Sequence, residues 1–91
     1  MYLVEIRERQ YEDGRITEKL RVSDIRIDFS YKAFASVRGA VNEVMNVLWR
    51  YRERDWDITE FPLSPELAVW YTVGERYNDT LEVRIVEVRI G

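Results

Sequence analysis

Leu67-Ala68-Val69-Trp70-Tyr71-Thr72-Val73-Gly74-Glu75-Arg76-Tyr77 is the stretch on which the fold turns. Ser64-Pro65-Glu66 ahead of it makes a good helix start, and Gly74 a good helix stop. Val69 to Val73, however, is β-branched and aromatic, which is strand composition. Pairing decides. With Asn78-Asp79-Thr80 as a loop, Trp70 meets Val88, Thr72 meets Val86 and Arg76 meets Glu82, while Val73 meets Ile85 and Tyr77 meets Leu81. Leu81 to Ile90 is the strongest β segment of the chain, so 67–77 is expected to be its hairpin partner.

Upstream, residues 55–66 form a long connection punctuated by Pro62 and Pro65, with Ile58, Phe61 and Leu63 placed to cover an edge of the core. Before it the period is helical. From about Ser30 to Arg54, Phe34, Val37, Val41, Val44, Leu48 and Tyr51 recur at three and four, and Ala33, Ala40 and Val47 widen the stripe. Ser30 is the expected N-cap, and Arg50, Arg52 and Arg54 suit the negative end of the helix dipole.

At the start of the chain, Tyr2, Val4 and Ile6 alternate with charged residues, and Ile16, Leu20 and Val22 repeat the alternation after a turn at Glu12-Asp13-Gly14. A two-residue Asp13-Gly14 turn would set Ile6 opposite Arg21 and mix the faces. A three-residue loop pairs Ile6 with Leu20 and Val4 with Val22, so that register is expected. The alternation changes phase at Ser23-Asp24, which implies a bend before Ile25, Ile27 and Phe29.

The elements make one α+β domain over residues 1–91, in the order β–β–α–β–β. Two antiparallel hairpins flank one long helix that packs on one face of the sheet. The simplest closed arrangement puts the first and last strands side by side in the middle. It resembles the β-grasp of ubiquitin-like and immunoglobulin-binding domains in architecture, with no shared motif.

Composition removes most chemistry. There is no Cys and no His, hence no disulfide, no thiol nucleophile, no imidazole base and no Cys- or His-ligated metal, and no cofactor is expected. Serines at bends and caps have no partner to activate them, and the four scattered glycines form no phosphate loop. Glu5-Ile6-Arg7, Asp24-Ile25-Arg26, Glu82-Val83-Arg84 and Glu87-Val88-Arg89 have the acidic–x–basic form of metal-dependent nucleases. Alternating strands with mixed-charge faces produce such triplets on their own, so no enzyme is expected. The net charge of −3 disfavours a bulk nucleic-acid binder. No apolar run is long enough to cross a bilayer and the N-terminus lacks signal-peptide form, so the expected location is the cytoplasm. Twelve Arg against two Lys, without Cys, fits a hot-living archaeon or its virus or plasmid.

Two surfaces stand out. Met45, Trp49, Arg52 and Trp56 line one helix flank at spacings of four, three and four, and are of types enriched at interfaces. The plainer reading is that the 55–66 connection buries them; the Arg- and Trp-rich run 49–56 also raises a nucleic-acid alternative. The last hairpin is apolar on both faces, with Ala68, Trp70, Val86, Val88 and Ile90 on one. The other, Val69, Tyr71, Val73, Val83 and Ile85, is expected to be uncovered and to pair two subunits. The expectation is a non-enzymatic, homodimeric binding or regulatory domain with an unidentified protein partner.

Overall fold

Asp13 and Gly14 both take positive φ, 49° and 74°, the conformation a two-residue type I′ hairpin turn requires. The computed structural model describes residues 1–22 and 33–89. Within them β1 (Tyr2–Glu12) and β2 (Arg15–Val22) form the first hairpin, followed by α1 (Val37–Arg52), β3 (Asp57–Ile58), β4 (Tyr71–Arg76) and β5 (Asp79–Glu87). One antiparallel sheet runs β2-β1-β5-β4-β3, with α1 across one face. The expected order holds, and β1 and β5 meet in the middle. They are antiparallel, so the sheet lacks the parallel central pair of a β-grasp.

The Asp13-Gly14 turn corrects the expected first register. Ile6 stands opposite Arg21 and Arg7 opposite Leu20. A one-residue change of register moves every β2 side chain to the other face. Arg15, Thr17, Lys19 and Arg21 therefore share the helix side with Val4 and Ile6, while Ile16, Leu20 and Val22 share the far side with Glu5, Arg7 and Arg9. After Val22, the lane beside β1 is taken by Phe34, whose N–H and carbonyl both bond Tyr2 at 2.8 Å. The expected bend at Ser23-Asp24, the 25–29 segment and the Ser30 cap lie outside the described residues.

The helix begins later than its periodicity suggests. Ser36, extended at φ −134°, accepts a hydrogen bond from the Gly39 N–H at 3.1 Å and caps it. The stripe from Ala40 to Tyr51 then buries Val44, Val47 and Leu48 against Val4, Ile6, Leu81, Val83 and Ile85.

Residues 71–76 are strand, but 67–70, expected to belong to it, are not, and the expected pairs do not form: the turn is Tyr77-Asn78, with Tyr77 at φ 55°, which sets Arg76 opposite Asp79 and Thr72 opposite Glu82 rather than Val86. A bulge between Thr72 and Gly74 shifts the register once more. Val73, Val83 and Ile85 consequently lie in the core under α1, and Tyr71 packs against it. Only Val69 of the expected subunit contact is exposed. Tyr71, Val73, Val83 and Ile85 do share one face, and the helix covers that face rather than the one expected. β1 dictates this: Val4 and Ile6 pair with Ile85 and Val83, whereas the reverse face of β1 carries Glu5, Arg7 and Arg9, which no helix stripe could bury.

Candidate functional site

Spacings of four and three place Met45, Trp49 and Arg52 on one flank of α1, and that flank stays open. Met45 is 46% exposed and Trp49 60%. Trp56, expected to continue the row, is buried instead. The helix ends at Arg52; the Glu53 and Arg54 amides close its last carbonyls, and Asp55 turns left-handed at φ 66°. The chain then swings Trp56 inward, edge-on to Tyr51 at 5.5 Å and beneath the Arg76 guanidinium at 4.8 Å. Asp tolerates the left-handed region better than most residues, the one signal in the sequence for this stop.

The facing wall is built by β3 and the residues after it. Ile58 pairs with Gly74, and the Thr59 N–H reaches the Val73 carbonyl at 2.8 Å. A Cβ on Gly74 would stand 2.7 Å from Ile58 Cδ1 and 3.3 Å from the Asp57 carbonyl oxygen, so a side chain there would have to displace the tip of Ile58 and press on β3. Phe61 then drops into the core, edge-on to Tyr71 at 5.6 Å, and leaves Leu63 almost wholly exposed. The connection thus runs beside the helix flank without covering it.

Between the walls is a groove of about 410 Å³. Met45, Leu48, Trp49 and Arg52 line it from α1; Ile58, Thr59, Glu60, Phe61 and Leu63 line it from the other side. The Trp49 indole N–H donates to Glu53 at 3.0 Å, which fixes the ring. Arg50, one residue away, is held by the Glu43 carboxylate at 3.4 Å. Arg52 makes no ion pair among the described residues. The groove is therefore apolar-floored, with one uncommitted cation on its rim.

Elsewhere the charged groups serve the fold. Glu5-x-Arg7 and Glu82-x-Arg84 face each other on antiparallel strands and exchange partners: Glu5 with Arg84 at 2.9 Å, Arg7 with Glu82 at 2.8 Å. Two of the four acidic–x–basic triplets are thus the two sides of this ladder, and Asp24-Ile25-Arg26 lies outside the described residues. Trp70 lies over it, 4.2 Å from the Arg7 guanidinium and 4.5 Å from that of Arg84. On the helix side, the Tyr51 hydroxyl donates to Glu8 and accepts from Arg21. Burial, and then the Glu8 carboxylate, raise the Tyr51 pKa, so the phenol stays protonated and acts as a bridge rather than a base. No group of three or more carboxylates converges as a metal site among the described residues, and no described helix is long and apolar enough to cross a membrane. No family model matches the chain, and neither a curated protein nor a solved structure shows significant similarity to it.

Proposed function

We propose that this protein is a non-enzymatic binding domain whose groove between α1 and residues 58–63 receives one large apolar side chain of a protein partner, with a neighbouring carboxylate of that partner on Arg52. The observation that carries this reading is an exposed, oriented Trp49 beside a rim arginine that the described chain leaves unpaired. Trp, Met and Arg are the residues from which binding hot spots are made. A groove of about 410 Å³ is of the size that small ligand groups fill. Glu60 on the opposite wall repels a second acid there, so one anchor and one acid, in fixed order, is the expected motif.

A peptide display library panned on the intact protein tests this. Enriched peptides should carry Leu, Ile, Phe or Trp beside Asp or Glu. Trp49→Ala or Arg52→Glu should each weaken them about tenfold or more, which corresponds to about 1.4 kcal/mol. No enrichment, or peptides indifferent to both substitutions, would overturn the proposal.

The nucleic-acid alternative has less support, because Arg50 is engaged by Glu43 and Trp56 is buried. A gel shift at micromolar protein and physiological salt should show no complex. Binding that falls steeply with salt and disappears with Arg50→Glu and Arg54→Glu would favour it instead.

A further inference from the structure

The strand wall of the groove is also an edge of the sheet, and its main chain is open there. In the order β2-β1-β5-β4-β3, β3 has a neighbour on one side only. Ile58 stands opposite Gly74, and the next residue, Thr59, turns its N–H to β4 and bonds the Val73 carbonyl at 2.8 Å. Paired residues along antiparallel strands alternate between hydrogen-bonded and not, so the N–H and carbonyl of Ile58 point away from β4. Glu60 follows on the same wall, exposed, before the chain reaches Phe61. Among the described residues, no other segment bonds the Ile58 or Glu60 main chain.

An open strand edge specifies the chemistry of its occupant, because another main chain presents donors and acceptors in matching alternation. This edge is short, since Pro62 has no N–H and ends the run of donors. A long edge invites growth from sheet to sheet, whereas one this short suits a brief peptide segment. The groove beside it supplies the side-chain half of the recognition. A residue paired opposite Ile58 turns to the same face as Ile58, where Met45 and Trp49 stand across the groove. The charges that line the groove are Arg52 on the helix side and Glu60 on the strand side, while Glu53 accepts the Trp49 indole N–H. A carboxylate of the partner therefore reaches Arg52 from the face that carries the apolar anchor.

We infer that the partner segment binds as an extended strand along β3, adding itself to the sheet and turning alternate side chains into the groove. This rests on the groove being a protein-binding site, and it adds the conformation of what the groove binds. Alternate residues of an extended segment share a face, so the apolar anchor and the acid stand two residues apart. A helical partner would set them three or four apart.

Peptides enriched from a random display library on the full chain should carry the acid two residues from the anchor. Methylating single backbone nitrogens of such a peptide should weaken it about tenfold or more at alternate positions and little at those between. On the protein, Glu60→Pro should weaken the peptide to a similar degree, and Glu60→Ala, which keeps the N–H, should not. Thr59 keeps its bond to β4 in both. If Glu60→Pro disturbs folding, hydrogen exchange on the unsubstituted chain gives a second readout. The Ile58 and Glu60 amides should exchange freely in the protein alone and slow markedly with peptide bound. Peptides that need Trp49 but hold the acid three or four residues away, or that tolerate methylation at every position, would overturn the strand pairing and leave the groove a binding site. An Ile58 amide already protected in the free protein would overturn it too, since a second copy would then hold the edge. No enrichment, or peptides indifferent to Trp49→Ala and Arg52→Glu, would remove the groove reading and this inference with it.

Discussion

Tyr51 ties three elements together: its ring belongs to the α1 stripe, while its hydroxyl bonds Glu8 of β1 and Arg21 of β2. Folding raises its pKa above the ordinary value of 10.0, chiefly through burial. A group whose folded pKa is raised contributes stability that is fully present below the unfolded pKa and is lost as pH climbs through the folded one. Tyr51→Phe should therefore cost about 1 kcal/mol at neutral pH. Its urea midpoint should then fall less steeply than that of the unsubstituted chain as pH passes the tyrosine range. Parallel curves for the two proteins would show that the phenol is not linked to folding. The place of Tyr51 in the helix stripe was legible from spacing alone; its partner Arg21 was not. The three-residue loop, chosen because it kept the faces uniform, set Arg21 on the outer face beside Glu5, where the structure puts Leu20 and Val22.

At the scale of elements, the helix and the two hairpins were legible, whereas β3, inside the expected connection 55–66, and the registers were not. Apolar residues at three and four specify a helix whatever surrounds it, and alternation specifies a strand. Register depends on which turn residues take positive φ. Tyr77 at 55° is an aromatic residue in a region that such side chains seldom enter, so nothing in the sequence announces it. Met45, Trp49 and Arg52 share a helix flank, which was legible for the same reason that the helix was. The fourth, Trp56, failed because helical spacing was carried past Asp55. The groove wall rests on a close approach at Gly74, and it can be moved without touching the helix. Gly74→Ala should destabilise the domain by about 1–3 kcal/mol through overpacking against Ile58 and weaken any groove ligand. Ile58→Val, which removes the clashing methyl, should recover part of both losses. Chemical denaturation of the single and double variants measures this; additive effects would show that the two residues do not compete for the same space.

Across the whole molecule, the middle of the sheet is made by the two ends of the chain. Tyr2 stands opposite Glu87, and Met1 and Val88 exchange backbone hydrogen bonds at 2.7 and 3.2 Å. Every fully buried residue of β1 has its cross-strand apolar partner on β5: Val4 with Ile85, Ile6 with Val83. Removing β5 should therefore unfold the rest rather than leave a smaller domain, and urea unfolding of the intact chain should be a single transition. A truncated chain ending before Asp79 that keeps dispersed amide resonances would refute this.

The same closure sets an order in time. As the polypeptide emerges during synthesis, β1 and α1 come first and wait, for the strand between whose residues and theirs the interior is formed comes last. The first hairpin can close early around Asp13-Gly14, but it gains no interior from doing so, because its apolar row faces the wrong way for the helix. The chain must therefore close its longest loop before that interior exists. Refolding should be limited by this search and fall in the millisecond-to-second range of non-local topologies rather than the microseconds of a helical bundle.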